Sequence, residues 1–419
     1  MAEPSFTAPK GTRDVLPPES ARWADLVARF AQHVDRAGYG LVLSPMFEDL
    51  GVFHRVGEGT DIVTKEMYDF EDKGGNHVAL RPEGTASIVR AYVQHRPVGT
   101  PWKAWYVGPN FRYERPQAGR YRQHHQLGIE ALGSDDPDLD VEVIALQADF
   151  YASLGLRRVD LVVNSMGTTD DRAAYAATLG RWLEERLDEL DPADRGTVST
   201  NPMRVLDSKR ETTRAVTDAA PRIVDEISTE SRERFERVLE GLDSLGIGHR
   251  VEPRLVRGLD YYTHTTFEFQ ASALEGAQNG IGGGGRYDGL AEALGGPPTP
   301  GIGFGSGIER ILLACDAEQV MAATEPAASV FVVDVVDGRD GRDLVAEARR
   351  AGLSADRAYG GRSMKAQMKA ADRSGATVAV IIGPDEHAAG EVTLRDLRGD
   401  TEQERVPRDA VIDHLRKRL

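Results

Sequence analysis

Four arginines crowd into residues 111–130, FRYERPQAGRYRQHHQLGIE: Arg112, Arg115, Arg120 and Arg122, against two carboxylates, Glu114 and Glu130. The chain around them is acidic, with a formal net charge of −16. Clustered guanidinium groups suit phosphate, because the planar fork stays charged and binds two oxygens at once. The plain alternative is a solvated charged loop. Within residues 80–85 (LRPEGT), the carboxylate of Glu83 and the hydroxyl of Thr85 could hold an ammonium group, unless Thr85 is simply a helix N-cap. Arg257-Gly258-Leu259-Asp260-Tyr261-Tyr262 places a cation and phenols where they could face one ligand or merely pack as an aromatic strand. Residues 280–289 (GIGGGGRYDG) let a ligand approach backbone closely. Residues 301–310 (GIGFGSGIER) run a glycine-rich strand into Arg310, which on its own would read as a surface arginine.

Two motifs are set aside. His124 and His125 are adjacent on a strand, so they point to opposite faces, and no further ligands stand at metal-binding spacing. Gly280, Gly282 and Gly285 satisfy G-x-G-x-x-G, but they lie deep in the chain, open no βαβ unit and have no ribose-binding acid about 20 residues on.

The elements that must position these groups follow from periodicity. Trp23, Leu26, Val27, Phe30 and Val34 give an amphipathic helix over 19–37, ended by Gly38, with a strand over 41–45 after it. A strand-like segment, 65–70, precedes a turn at 73–76. A helix is expected over 85–94. Trp102–Val107 and Gln126–Glu130 read as two strands of a hairpin around the arginine-rich loop. A helix over 138–154 and a strand over 160–164 follow. From about 169 to 248 leucine, alanine and charged residues dominate, which reads as a helical insertion. Strands resume at Val251 and over 265–269. Residues 316–329 read as a linker. Beyond it a strand (330–336), a helix (342–351), a basic helix (363–373) and strands over 377–382 and 391–397 precede a last helix, implying a small α/β domain around a mostly parallel sheet.

At 419 residues there is room for two or three cores. No apolar run approaches the ~20 residues of a membrane span, and no signal peptide is apparent at the N-terminus. The single cysteine, Cys315, excludes an internal disulfide and a cysteine-based zinc site. A cytoplasmic location is expected. The acidic balance argues against non-specific nucleic-acid binding over the whole surface. Local basic patches remain, at Arg357, Arg362, Lys365, Lys369 and Arg373, and at 416–418 (RKR); each could be only an exposed helix face or a helix end.

Taken in order, the motifs resemble one family along nearly the whole chain. Helix, strand and Pro45 resemble motif 1 of the class II aminoacyl-tRNA synthetases, the FRYE of 111–114 resembles motif 2, and the segment ending at Arg310 resembles motif 3. The longer strings ERPQAGRYRQ and QLGIE, with RPEGT, RGLDYY, GGRYDGL and the NPMRVLDSK of 201–209, resemble histidyl-tRNA synthetases. No P-loop, HIGH or KMSKS string is present.

The resemblance implies an α+β class II catalytic domain, with an antiparallel sheet flanked by helices, over 1–325. It implies a helical insertion at about 169–248 and a C-terminal α/β anticodon-binding domain over 326–419. The implied reaction is ATP-dependent ligation of L-histidine to tRNA(His) through histidyl-adenylate, releasing AMP and pyrophosphate. Arg112 and Arg257 would be catalytic, holding the α-phosphate. Glu83, Gly84, Thr85 and Gln126 would hold the amino-acid end of histidine. Glu130 and Tyr262 would read the two imidazole nitrogens, with Tyr261 and Tyr287 walling the pocket. Glu114 would accept from the adenine amino group, and Arg120 and Arg310 would bind the outer phosphates. Mg²⁺ would arrive with ATP, no protein-bound structural metal is implied, and a homodimer is expected through motif 1. Two rivals stand beside this reading. A regulatory paralogue would lack the anticodon domain and catalytic arginines, and a pure RNA-binding protein would have no use for Glu83, Glu130 and Tyr262.

Overall fold

The computed structural model describes residues 6–57, 60, 62–256, 261–274, 279–322, 329–399 and 402–419. Arg257, expected to be catalytic, lies outside the described residues, as does the expected domain boundary at 325–326. The chain divides into two compact units. One comprises the residues up to Leu16 and Arg22–Ala322; the other comprises Pro17–Ala21 and the residues from 329 on.

In the first unit α1 (Glu19–Asp35) leads to β1 (Gly40–Leu41), then β2 (Phe47–Asp49), α2 (Leu50–Gly57), β3 (Tyr68–Glu71), β4 (His77–Leu80) and α3 (Thr85–His95). The hairpin β5 (Trp102–Phe111) and β6 (Gln123–Leu132) follows, then α4 (Pro137–Ser153) and β7 (Val159–Ser165). Six helices come next: α5 (Thr169–Glu184), α6 (Pro192–Thr200), α7 (Pro202–Val205), α8 (Glu211–Thr217), α9 (Ile223–Glu226) and α10 (Thr229–Ser244). The chain returns through β8 (His249–Val251), β9 (Thr263–Ala271), β10 (Gly280–Arg286), α11 (Leu290–Ala293), β11 (Gly301–Gly307) and α12 (Ile308–Ala317).

Among the described residues the main sheet has the order β1-β5-β6-β11-β10-β9-β7-β8. It is antiparallel except at its two edges, where β1 pairs with β5 and β7 with β8 in parallel. Beside it β2, β4 and β3 form a small antiparallel sheet. One face of the main sheet is closed by helices. Leu26, Phe30 and Val34 of α1, Ile144 and Phe150 of α4 and Ile311 of α12 pack on Leu127 and Ile129 of β6, Phe267 and Phe269 of β9, and Ile302 and Phe304 of β11. The spacing of Leu26, Phe30 and Val34 puts one stripe of α1 on that core, and Gly38, with φ +83°, allows the chain to turn out of the helix.

Several expected elements change in extent. The strand over 41–45 shrinks to two residues: the Val42 N–H still donates to the Trp105 carbonyl at 2.8 Å, but Pro45 has no N–H to extend the ladder. The segment at 65–70 becomes strand only from Tyr68, because Ile62–Glu66 form a π-helical turn. The hairpin strands reach ten residues each, in register from Trp102 opposite Leu132 to Phe111 opposite Gln123. The expected linker begins late, since α12 continues to Ala317 and Asp316 takes the Arg22 guanidinium at 2.5 Å.

The second unit runs β12 (Val330–Asp334), α13 (Arg339–Arg350), β13 (Ala355–Arg357), α14 (Met364–Arg373), β14 (Val378–Ile382), α15 (Pro384–Ala389), β15 (Glu391–Asp396), β16 (Glu404–Pro407) and α16 (Val411–Arg418). Its strand order is β13-β12-β14-β15-β16. The sheet is not mostly parallel: β12 pairs in parallel with β13 and β14, whereas β14–β15 and β15–β16 are antiparallel. The short α15, ended by Gly390 at φ +66°, is too little chain for a crossover of about a dozen residues, so β15 reverses direction.

A buried ion pair ties α4 to β10. Arg286 donates from Nε to Asp140 at 2.7 Å, from Nη1 to the Ser134 carbonyl and from Nη2 to the Asp136 carbonyl at 2.9 Å each. The Thr265 hydroxyl donates to the other Asp140 oxygen at 2.6 Å, and Arg286 and Asp140 are both inaccessible to solvent. Removing one partner strands a buried charge. Asp140→Ala should therefore lower the unfolding free energy by about 3–5 kcal/mol, measured by urea denaturation; a loss below about 1 kcal/mol would show the pair to be dispensable.

Candidate active site

Side-chain alternation decides what faces the open side of the main sheet. With Leu127, Ile129 and Ala131 of β6 in the core, Gln126, Gly128 and Glu130 face the other way. On β11, Ile302 and Phe304 are in the core, so Gly301, Gly303, Gly305 and Gly307 present a face without side chains. Register sets Gly303 opposite Glu130, Gly305 opposite Gly128 and Gly307 opposite Gln126. The glycines are sterically required where side chains lean over them. A Cβ on Gly303 would lie 1.9 Å from Glu130 Oε2, and one on Gly301 2.4 Å from the Tyr287 ring.

At one end of this floor sits Glu130, fully buried. Its oxygens accept from the Thr85 hydroxyl at 2.7 Å and from the Tyr287 hydroxyl. Burial pushes its carboxyl up to about 8; the Tyr287 and Thr85 hydrogen bonds pull the other way, and nearby Glu83 adds to the rise. The rings of Tyr261 and Tyr262 lie 4.8 Å apart, with Tyr287 5.9 Å from Tyr261. Gln126 accepts from Asn110 at 2.7 Å through its carbonyl oxygen.

Glu83 is also buried, which raises its carboxyl despite two backbone hydrogen bonds. Those bonds, from the Thr85 N–H at 2.6 Å and the Ala86 N–H at 2.9 Å, cap α3. The N-cap residue is Gly84, not Thr85, so the capping alternative for Thr85 fails: the Thr85 hydroxyl is spent on Glu130. Gly84 is needed because a Cβ there would meet the Tyr106 ring at 2.3 Å.

The other end is a cleft enclosing about 240 Å³, lined by Arg112, Glu114, Arg120, His124, Gln126, Glu268, Glu309 and Arg310 over the glycines of β10 and β11. Arg112 donates from Nε to the Pro82 carbonyl at 2.9 Å, tying the hairpin to the segment that carries Glu83. Arg310 reaches the Gly280 carbonyl at 2.6 Å and the Gly119 carbonyl at 3.4 Å. These two carbonyls aim the guanidinium, and the Glu268 carboxylate in the same cleft acts on its charge. Arg120 is ion-paired with Glu114, so neither acts on a ligand independently of the other. Arg122 serves the hairpin itself: its backbone N–H donates to Gly11 at 2.8 Å, and its guanidinium lies 3.7 Å over the Tyr113 ring.

The two histidines do diverge. His124 lines the cleft, where burial and then Arg112 hold its ring near a pKa of about 3 and therefore neutral. His125 turns away, giving its backbone N–H to Glu309 at 3.0 Å, with its ring nitrogen Nδ1 3.1 Å from the same carboxylate. No group of three or more His, Cys, Asp or Glu side chains among the described residues could hold a metal ion.

Sequence reasoning missed Tyr106, Asn110, Glu268 and Glu309, which shape or line the site. Tyr106 looks like one more apolar strand residue, and Glu268 and Glu309 have no local neighbours to mark them. The glycine floor did have a signal: in 301–307 every second residue is glycine, the strand period.

Comparison with known proteins gives a consistent picture. A family model described as "Histidyl-tRNA synthetase" matches residues 11–311, and one described as "Anticodon binding domain" matches residues 329–418. The histidine–tRNA ligase of Rhodococcus erythropolis is 48% identical over 98% of this chain and 97% of its own. That of Geobacillus kaustophilus is 46% identical over 99% of each. Among solved structures, apo histidyl-tRNA synthetase of S. aureus superposes with a TM-score of 0.83 at 36% identity, covering 98% of this chain and 100% of that one.

The raised Glu130 carboxyl has a consequence for stability. The folded state holds this proton above the pH at which the unfolded chain releases it, so stability falls as pH rises from about 5 to about 8 and levels off above. Glu130→Gln lacks that loss. In urea unfolding across this range the variant should gain on the wild type with rising pH by a few kcal/mol; parallel stability curves would refute the shift.

Proposed function

The chain belongs to the histidyl-tRNA synthetase family, within the class II aminoacyl-tRNA synthetases, and on that premise we propose how its residues divide the work. It is a histidine–tRNA ligase, joining histidine to ATP as histidyl-adenylate and passing the histidyl group to tRNA(His). What supports the residue assignment is the continuous floor from Glu130 to Arg310, with a buried polar pocket at one end and an arginine-lined cleft at the other.

Histidine lies at the Glu130 end. Glu83, Gly84, Thr85 and Gln126 hold its ammonium and carboxylate end. Glu130 takes the imidazole N–H and Tyr262 donates to the other nitrogen, since neutral imidazole offers one of each; Tyr261 and Tyr287 wall the ring. The Thr85 and Tyr287 hydroxyls that now meet Glu130 fix its carboxyl for this purpose. A site built on such buried partners rejects isosteres lacking them by about 10⁴–10⁵.

The histidine carboxylate attacks the ATP α-phosphorus, pyrophosphate leaves, and the terminal ribose hydroxyl of tRNA then attacks the adenylate carbonyl. No protein nucleophile is required, so orientation and charge stabilisation carry the reaction. Arg112 and Arg257 act on the α-phosphate, the latter on the family resemblance alone. Arg310 and Arg120 take the outer phosphates, and Glu114 leaves Arg120 to accept from the adenine amino group. Glu268 and Glu309, two hard oxygen donors in the same cleft, fit a Mg²⁺ arriving with ATP; the ion would offset polyphosphate charge.

The domain division proposed is catalytic, 1–325, with the helical insertion at about 169–248, and anticodon-binding, 326–419. In the second unit the Tyr359 ring is 61% exposed, with Arg357 4.9 Å over it, at a cavity that Arg362 also lines. Lys365 and Lys369 follow on α14. An exposed aromatic beside positive charge suits an unstacked base of the anticodon loop. Leu41, Leu43, Met46 and Phe47, each at least half exposed, support a homodimer through this region. No helix among the described residues is long and apolar enough to cross a membrane; a cytoplasmic location rests on composition.

The deciding assay is ATP–pyrophosphate exchange with histidine and, as controls, every other amino acid; exchange with histidine alone is expected. Glu130→Ala should raise the histidine KM far more than the ATP KM, and equal effects would remove its assigned role. Arg257→Ala should slow single-turnover adenylation; an unchanged rate would exclude it from catalysis. Gly303→Ala should raise the histidine KM by about tenfold or more by displacing Glu130, and a normal KM would show that the carboxyl can move aside. Tyr359→Ala should leave exchange intact and raise the tRNA KM about tenfold; unaltered charging kinetics would move the base contact elsewhere.

A further inference from the structure

Behind the nucleotide cleft, on the helix-covered side of the sheet, three polar side chains are buried together. Gln147 and Tyr151 come from α4 and Ser306 from β11, and all three are at most 2% exposed. The Gln147 amide donates to the Tyr151 hydroxyl at 2.9 Å and to the Ser306 hydroxyl at 2.8 Å, and the two hydroxyls are 2.8 Å apart. The cluster is a poor device for stability, because Gln147 Oε1 is buried without a hydrogen-bond partner and such a group is costly to desolvate.

Its place in the fold is more telling. A Cβ on Gly282 would lie 2.3 Å from the Tyr151 hydroxyl, 2.4 Å from Gln147 Nε2 and 2.6 Å from the Ser306 hydroxyl. The cluster thus fills the space where a side chain of Gly282 would be, while the Gly282 backbone lines the cleft on the opposite side. Between Gly280 and Gly282 the register of β10 against β9 shifts by one residue. A bulge of this kind re-aims the backbone beside it. The carbonyl it turns into the cleft is that of Gly280, which receives the Arg310 guanidinium at 2.6 Å.

We propose that Gln147, Tyr151 and Ser306 are positioning residues for ATP: they support the β10 bulge from behind, and the bulge aims Arg310 through the Gly280 carbonyl. None of the three touches substrate. The proposal rests on the reading of Arg310 as a nucleotide-binding residue, which wild-type exchange kinetics and Arg310→Ala test separately.

Three variants probe it: Tyr151→Phe, which keeps the ring against Phe269; Ser306→Ala; and Gln147→Met, which leaves the Tyr151–Ser306 bond in place. In pyrophosphate exchange each should raise the ATP KM by about tenfold and leave the histidine KM within about twofold. The thermal midpoint of Gln147→Met should hold or rise, since the partnerless oxygen is gone. Combining Ser306→Ala with Arg310→Ala should cost no more than Arg310→Ala alone, because the hydroxyl acts through that arginine. An unchanged ATP KM in all three, additive effects in the double variant, or ATP and histidine KM values rising together in step with lost thermal stability would each overturn the assignment.

Discussion

Antiparallel pairing of β6 with β11 places Gly303 against Glu130 and Gly307 against Gln126, and most of the site depends on that register. A slip of one residue would turn Leu127 and Ile129 toward the substrate face and Glu130 into the apolar core. The register is guarded by the core on the other face, where Ile302 and Phe304 of β11 meet Leu127 and Ile129 of β6. Stability and substrate geometry are thus two faces of the same pairing. The glycines on the open face add nothing to packing, but they let Glu130 and Tyr287 lean across the strand.

The electrostatics follow from this geometry. The chain carries a net charge of −16, yet Arg112, Arg120 and Arg310 converge on one cleft. Three carboxylates, Glu114, Glu268 and Glu309, line the same cleft, so the guanidinium groups are gathered there and held in place among opposite charges. At the opposite end of the floor the Glu130 carboxyl is kept from water, which makes its ionisation costly even though the Tyr287 and Thr85 hydroxyls favour it. The same strand carries both environments, with Gln126 toward the cleft and Glu130 in the pocket.

Much of the fold was legible because its signals are local. The stripe of Leu26, Phe30 and Val34 marks α1, the turn residues between Arg115 and Arg120 mark the hairpin loop, and the change of composition after residue 169 marks the helical run. Where expectation and structure part, the cause lies in how elements pair. The length of β1 depends on Pro45, which has no N–H to extend the ladder to β5, and the direction of β15 depends on how little chain α15 supplies. The edge strand β16 carries no apolar run to announce it. The role of Arg286 was invisible for the same reason, since its partner Asp140 lies on another element.

By itself the sequence determined the order of motifs, the family they resemble and the residue types available to it: a cluster of arginines, the carboxylates Glu83 and Glu130, and glycines at alternate positions of a strand. Those are properties of residue identity and spacing. Only the tertiary structure decided which of these groups act together. It paired Glu114 with Arg120, assigned Thr85 to Glu130 instead of a helix cap, brought Glu268 and Glu309 into the cleft, and set Gln147, Tyr151 and Ser306 beneath Gly282. The physical reason is that hydrogen bonds and burial join residues far apart in the chain, and no local pattern encodes the partner.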